Sequence, residues 1–176
     1  METDKDWAKF DKDRYNKYDG KAKDALVSYL EQEGHTIKRI KETYVADVVS
    51  VKDKETFYSE AEVKAPWEGE WPSEWKDLRI PGRKARLLQK HATITFFVFR
   101  SDCQECWVVK GEQLTLDSLK EAYGAKISKG ELFFHIPVKD AKLIKLDKGR
   151  WSEVKKTKPA STTKKTSSTK KKTSKE

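Results

Sequence analysis

The feature of this sequence that most constrains the fold is an apolar run at residues 93–100, TITFFVFR. A strand with one face in water alternates apolar and polar residues, whereas a strand covered on both faces is apolar almost throughout. The run therefore predicts a buried central strand with other layers packed against both of its faces.

Helical and strand patterns surround this run. A candidate N-cap at Asp19, apolar residues at helical spacing and a terminating Gly34 predict a helix over residues 20–33. The apolar repeat then changes to that of a strand, which indicates a three-stranded meander with a polar turn at residues 52–55. The strands of this meander are predicted at residues 35–42, 44–51 and 56–65.

More elements follow the meander on its C-terminal side. Pro81 marks the start of a second helix, because proline is favoured in the first helical turn. The elements predicted here are a helix at residues 82–91, a strand at 106–109, a helix at 116–123 and a strand at 132–138. The order of the elements predicts an α/β (α+β) fold, with a central mixed β-sheet flanked by helices.

Charge divides the chain into a body and a tail. The 176 residues carry a formal net charge of +9, and residues 155–176 hold nine lysines and one glutamate. This Lys/Ser/Thr-rich segment cannot bury enough apolar surface to offset its ordering entropy, so we expect it to be disordered. The predicted organisation is an N-terminal arm at residues 1–18, one domain at 19–154 and a basic tail at 155–176.

Several classes of protein and of site are disfavoured. No apolar run approaches the roughly 20 residues that span a bilayer, and the N-terminal residues lack the apolar core of a signal peptide. We expect an intracellular, cytoplasmic protein, although Lys170, Lys171 and Lys172 also suit nuclear targeting. Cys103 and Cys106 form a lone CxxC, for which a structural turn is a better interpretation than a zinc site.

The residues with the most chemical information lie on two predicted strands. Glu60, Glu62 and Lys64 alternate along one strand and therefore share one of its faces. Asp47 is a single acid in the apolar run of the preceding strand, and hairpin pairing would bring it near Glu62. A buried carboxylate is costly unless its charge is compensated, and a divalent cation would compensate it.

These residues carry a resemblance to a known family. Asp47, fourteen further residues and then Glu62-Val63-Lys64, on adjacent strands between two helices, resemble the core of the PD-(D/E)xK nuclease superfamily. The first helix and the meander are similar to the opening of archaeal-type Holliday junction resolvases and phage recombination nucleases. The resemblance implies a restriction-endonuclease-like core that extends from the first helix through the apolar strand.

The resemblance also implies a role for each matching residue. Asp47 and Glu62 would hold Mg²⁺ (or Mn²⁺), and the main-chain carbonyl of Val63 would be a further ligand. Lys64 would position or activate the attacking water. The catalytic residues implied in this way are Lys64, Asp47 and Glu62.

The sequence departs from the family pattern at two places. Position 46 is alanine where the family name has proline, as in many relatives. Relatives often place a glutamate in the first helix, where this sequence has Lys23, Asp24 and Ala25. Asp24 and Glu60 are therefore the candidate additional acids.

Two further features are interpreted as DNA-binding, each with an alternative. The second helix opens with cations that suit phosphate contacts, or it is a solvated amphipathic helix. Trp67, Trp71 and Trp75 either stack on unpaired bases or, as the better supported interpretation, cap a core under a loop. The predicted DNA-binding residues are Arg79, Arg83, Lys84, Arg86, Lys164, Lys165, Lys170, Lys171 and Lys172.

The sequence therefore predicts a Mg²⁺-dependent deoxyribonuclease. Its predicted activity is hydrolysis of phosphodiester bonds in DNA, with branched DNA as the structure-selective substrate, a role in DNA recombination or repair, and a homodimeric state as in the relatives. One alternative is a catalytically inactive nucleic-acid-binding accessory protein on the same scaffold. Others are a protein-interaction module whose tail binds an acidic partner and, for the acids themselves, a plain solvated sheet face.

Overall fold

The computed structural model describes residues 12–40, 46–124 and 127–155. Most of the predicted N-terminal arm and nearly all of the predicted tail lie outside the described residues. The same is true of five lysines predicted to bind DNA, which are Lys164, Lys165, Lys170, Lys171 and Lys172. No helix in the described part of the chain has the length and apolar character needed to cross a membrane.

Helix α1 (Lys12–Gln32) packs against the sheet through one apolar stripe. The buried residues of this stripe are Ala22, Leu26 and Leu30. They recur at helical spacing, so tertiary burial stabilises the helix along this face. The prediction of Asp19 as the N-cap was wrong, because α1 continues through Asp19, whose carboxylate pairs with Lys23 one turn later.

The end of α1 is formed as predicted. Gly34 has a φ of +89°, a left-handed conformation that glycine adopts without the steric cost of a side chain. Its N–H donates to the carbonyl of Glu31, and the N–H of His35 donates to the carbonyl of Leu30. These two hydrogen bonds satisfy carbonyls of the last helical turn and direct the chain into the first strand.

Ten strands are present in the described residues. In chain order they are β1 (Thr36–Ile40), β2 (Val48–Lys52), β3 (Glu55–Lys64), β4 (Asp77–Pro81), β5 (Thr95–Arg100), β6 (Glu105–Lys110), β7 (Leu119–Glu121), β8 (Leu132–Pro137), β9 (Lys142–Asp147) and β10 (Arg150–Glu153). Seven of them form a sheet in the order β1-β2-β3-β5-β6-β9-β10, and three form a sheet in the order β4-β8-β7.

The predicted meander is confirmed in its described part. β1 pairs with β2 and β2 pairs with β3, both antiparallel. Asp53 and Lys54 have φ angles of 50° and 65°, which are those of a tight two-residue hairpin turn. One position differs from the prediction, since Asp47 lies directly before β2 and not within it.

The connection from β3 to β5 makes the larger sheet mixed. β5 pairs with β3 in parallel, which requires a crossover between the two strands. This crossover contains β4, a 3₁₀ turn (Gly82–Lys84) and helix α2 (Ala85–Lys90), the last two matching the predicted second helix. Lys64 at the end of β3 lies opposite Arg100 at the end of β5.

Strand β5 is buried on both faces, as its apolar run predicted. Phe97 and Phe99 pack in the core on the α1 side of the sheet. Phe96 and Val98 pack in a second core with residues of β4 and β8. The fold is thus α+β with a mixed central sheet, but the smaller sheet, rather than helices alone, covers the face opposite α1.

The C-terminal third was predicted least well. The helix predicted at residues 116–123 was wrong, because this segment is a 3₁₀ turn (Leu116–Ser118) followed by β7. Its apolar residues do not share a buried face, since Leu116 and Tyr123 are exposed. Strands β9 and β10, and β4 earlier in the chain, were not predicted, because each is short and carries charged residues.

Candidate functional site

Two of the predicted acids, Asp47 and Glu60, meet at the start of β2, at the point where β3 extends beyond the end of its partner strand. The described pairing of β2 with β3 ends at Val48 and Ser59. One residue further, the N–H of Asp47 donates to Oε2 of Glu60 at 3.1 Å, and the N–H of Ala61 donates to Oδ2 of Asp47 at 2.9 Å. The register therefore places Asp47 beside Glu60, and not beside Glu62 as the sequence suggested.

Lys84 joins this group from the turn before α2. Its Nζ lies 2.5 Å from Oε1 of Glu60 and 2.8 Å from Oε1 of Glu62. The Glu60 side chain is only 7% exposed and that of Lys84 18%, so both charges are largely removed from water. The prediction of Lys84 as a surface DNA contact does not fit this position, because its ammonium is turned inward onto two carboxylates.

A second lysine comes from α1. Lys23 is buried, and its Nζ lies 2.9 Å from Oδ2 of Asp19 and 3.6 Å from Oδ1 of Asp47. Asp24, a candidate additional acid, is exposed on α1. The residue of α1 that contacts Asp47 is thus the neighbouring lysine, with Asp19 behind it.

The surroundings shift the pKa values of Asp47 and Lys84. Burial raises the pKa of Asp47 to about 7, with the nearby Glu60 carboxylate adding to the rise. The hydrogen bond from Ala61 and the charges of Lys23 and Lys84 act in the opposite direction without cancelling it. Burial would lower the pKa of Lys84, but Glu62 and Glu60 outweigh it, so the pKa of Lys84 lies above its ordinary value.

Asp47→Asn is expected to change how stability depends on pH. The ordinary pKa of aspartate is 3.8 and that of folded Asp47 about 7, so the folded state holds a proton that the unfolded state releases between these values. Stability conferred through this proton falls as the pH rises through that window. Because asparagine is neutral throughout, the free energy of unfolding of the variant relative to wild type should increase between about pH 4 and pH 8.

Urea denaturation in EDTA at the two ends of this pH range measures the difference. Asp53→Asn is the matched control, since Asp53 is exposed in the β2–β3 turn. A difference between Asp47→Asn and wild type that stays constant with pH would contradict the prediction.

Lys64 lies further along β3, against a group of tryptophans. Its Nζ is 4.9 Å from the centroid of the Trp75 ring and 6.0 Å from that of Trp71. Trp71 contacts both Trp75 and Trp67 edge to face, with centroids 5.0 Å apart in each case. The ammonium therefore has aromatic faces beside it, which attract a cation through the ring quadrupole.

The tryptophans belong largely to the core. Trp67 is fully buried in the core on the smaller-sheet side, and its Nε1–H donates to the carbonyl of Gly69. Trp71 and Trp75 are partly buried and pack against the same core. Core capping is thus confirmed for Trp67, and base stacking by this ring is wrong because none of its surface is accessible.

Three arginines lie on the outer surface of the crossover between β3 and β5. Arg79 on β4 and Arg83 and Arg86 in the turn and α2 are exposed. Arg83 and Arg86 line a surface cleft together with Gly82 and Ala85. These guanidinium groups and Lys84 come from one segment, but only Lys84 reaches the carboxylates in the described structure.

The donor atoms in the group can be compared with what Mg²⁺ requires. Asp47, Glu60 and Glu62 supply carboxylate oxygens, the hard ligands that Mg²⁺ prefers. Burial, with the nearby Glu60 carboxylate adding to it, disfavours the charged form of Asp47, and a divalent cation would compensate that charge. The residue types therefore fit, although among the described residues no three acids, histidines or cysteines stand in a metal-holding arrangement.

Val63 is the remaining residue implied as a ligand. It lies in β3 between Glu62 and Lys64, opposite Phe99 of β5. Its side chain packs toward α1, whereas its neighbours in β3 face the other way. Any contribution of Val63 to a metal site would come from its backbone carbonyl.

The other reactive side chains have structural positions. Cys103 and Cys106 are buried and not joined in a disulfide. Cys103 has a φ of 58° in the turn between β5 and β6, and burial raises its pKa to about 11, which disfavours the nucleophilic thiolate. The structural-turn interpretation of the CxxC is in keeping with this geometry.

Sequence reasoning missed the positions of Lys23 and Lys84. Two acids on a largely buried strand face require compensating charges, and this requirement was a signal for inward-pointing lysines. The i,i+4 spacing of Asp19 and Lys23 was a second signal. Neither signal identifies which lysine fills the position, since that depends on how the crossover packs on the sheet.

Comparison with known proteins gives no family assignment. No protein-family model matches this chain, and no curated protein matches it either.

Proposed function

We propose that this chain is a Mg²⁺-dependent DNA endonuclease of the PD-(D/E)xK type. The observation that carries the proposal is the contact of Asp47 with Glu60 where β2 and β3 diverge. Lys84 links Glu60 to Glu62, and Lys64 follows Glu62 two residues later on β3. The element order also supports it. Helix α1, the antiparallel strands β1 to β3 and the later helix α2 follow the order in which the resemblance places adjacent strands between two helices.

In this proposal the acids hold the metal and the lysine acts on water. Asp47 and Glu62, with the carbonyl of Val63, would hold Mg²⁺, and Glu60 fixes Asp47 by accepting a hydrogen bond from its backbone N–H. The chemistry that such an ion supplies when bound is charge neutralisation at the phosphate and a lower pKa for bound water. Lys64 orients the attacking water through its ammonium, which the Trp75 ring holds beside the strand.

DNA is the proposed substrate because exposed cations lie on the crossover segment that contacts the acids through Lys84. Arg79, Arg83 and Arg86 lie on the crossover that also provides Lys84, where phosphate oxygens can reach them. Preference for branched DNA, a homodimeric state and a role in recombination or repair are proposed from the resemblance to resolvase-like nucleases.

The test is cleavage of labelled duplex, flap, single-stranded and four-way-junction DNA with Mg²⁺ or Mn²⁺. We expect wild type to cleave at least one substrate, and Asp47→Asn to cleave it at least about 10²-fold more slowly, because a metal-holding carboxylate is lost. Asp53→Asn is the matched control and should retain the wild-type rate. Undiminished cleavage by Asp47→Asn, or no cleavage of any substrate by wild type, would refute the proposal.

A second candidate function is a nucleic-acid-binding protein without nuclease activity. Lys23 favours it, because this lysine occupies the side of α1 that faces Asp47, where related nucleases often have an acid. Calorimetric titration of the metal-free protein with Mn²⁺ distinguishes the two functions. The nuclease should show binding that Glu62→Gln abolishes, and the accessory protein should show none.

A further inference from the structure

The position of Lys84 is unusual for a residue in a basic surface segment. Its Nζ contacts one oxygen of Glu60 and one of Glu62, at 2.5 and 2.8 Å. These carboxylates are on the same face of β3, two residues apart, and Glu60 is almost fully buried. One ammonium therefore neutralises two carboxylates, at least one of which the proposed function assigns to the metal.

An ammonium and a divalent cation compete for these carboxylates. Both are attracted by the same negative charge, and at such short distances in a partly buried site they repel each other strongly. Charge-assisted hydrogen bonds to both glutamates must break before the oxygens can turn to a metal. The lysine thus occupies carboxylate oxygens that the cation would otherwise bind.

We infer that Lys84 is an internal competitor of the divalent cation, and that its ammonium must leave Glu60 and Glu62 before metal binds. This inference rests on the proposed function, since it concerns the same acids. The departure requires movement of the side chain only. Its backbone belongs to a turn held against β8, where a Cβ on Gly82 would come within 2.9 Å of the Leu132 carbonyl oxygen.

The surroundings indicate where the released ammonium goes. Arg83 and Arg86 are exposed on the same short segment, so a lysine that swings outward joins them. A phosphate bound by these arginines would attract the released ammonium and lower the cost of its departure. Binding of a phosphate backbone and binding of metal would then favour each other.

The test is Mn²⁺ binding to the metal-free full chain, measured from the electron paramagnetic resonance signal of free Mn²⁺. Lys84→Gln removes the charge but keeps a donor for the glutamates. We expect it to bind Mn²⁺ at least about tenfold more tightly than wild type, because the competing charge is gone. Lys84→Arg keeps the charge, and Lys90→Gln removes a charge from an exposed position on α2; both should bind as wild type does.

Thermal unfolding provides a second readout. In EDTA, Lys84→Gln should unfold at a lower temperature than wild type, because Glu60 stays buried without its cation. Mn²⁺ should raise the unfolding temperature of Lys84→Gln by more than that of wild type. The inference would be contradicted if Mn²⁺ raised the unfolding temperature of Lys84→Gln no more than that of wild type. It would also be contradicted if Lys84→Gln were unfolded in EDTA and Mn²⁺ did not restore its fold.

The outcomes separate this inference from the proposed function. Metal-dependent cleavage by wild type, together with equal or weaker Mn²⁺ binding by Lys84→Gln, refutes the competition and leaves the nuclease proposal standing. Absence of Mn²⁺ binding and of cleavage in both proteins refutes both. Tighter binding by Lys84→Gln supports the competition whether or not the DNA substrate has been found.

Discussion

Lys64→Ala is expected to slow Mg²⁺-dependent DNA cleavage by about 10²–10⁴-fold while the protein stays folded. In the proposed function Lys64 orients the water that attacks the phosphate, so its loss lowers the rate of the chemical step. Its ammonium lies 4.9 Å from the Trp75 ring centroid and two residues beyond Glu62 on the same strand face. Alanine keeps the β3 backbone but has no charge to place there.

Single-turnover cleavage with saturating enzyme measures this effect, because it separates the chemical step from binding and product release. Lys76→Ala is the matched control, since Lys76 is exposed and lies near the same tryptophans in sequence. The control should retain the wild-type rate, and both variants should give the wild-type far-ultraviolet circular dichroism spectrum. A folded Lys64→Ala protein that cleaves at the control rate would exclude Lys64 from the reaction.

Trp67→Ala is expected to lower the free energy of unfolding by about 3–5 kcal/mol. The ring is fully buried, so its removal leaves a cavity in the core between the two sheets. The backbone N–H of Trp67 donates to the carbonyl of Lys64, and the backbone carbonyl of Trp67 accepts from the N–H of Ser101. The residue therefore connects the ends of β3 and β5, and the loss of its ring also loosens the segment that holds Lys64.

Guanidinium chloride denaturation, followed by circular dichroism, measures the change. Trp75→Ala is the comparison, because Trp75 is only partly buried and its ring lies at the edge of the same group. We expect Trp75→Ala to lower the free energy of unfolding by about 1 kcal/mol. If Trp67→Ala cost no more than Trp75→Ala, the ring would not be the core element that its burial indicates.

The parts of the fold that the sequence predicted best are those with a strong local signal. The apolar run of β5 indicated burial on both faces, and Gly34 indicated the end of α1. The turn between β2 and β3 was also local, since two residues set its geometry. The segment at residues 116–123 failed because its apolar spacing resembles a helix, whereas pairing of β7 with β8 decides its conformation.

The candidate site was predicted only in outline. The alternation of residues along a strand placed Glu60, Glu62 and Lys64 on one face without knowledge of any partner. The register of β2 on β3 then decided that Asp47 meets Glu60 first. A shift of one residue would have changed this contact, and the two-residue loop at Asp53 and Lys54 fixes the register, because loop length sets which residues of a hairpin face each other.

The sequence by itself determined which residue types are available and which strand faces they occupy, because these follow from local periodicity. Only the tertiary structure decided which charges meet. Lys23 comes from α1, 24 residues from Asp47, and Lys84 comes from the crossover, 24 residues from Glu60. Such contacts depend on how the helix and the crossover pack on the sheet, and packing is a property of the whole chain. The same lysine that looked like a surface contact in the sequence is therefore an internal counter-ion in the folded protein.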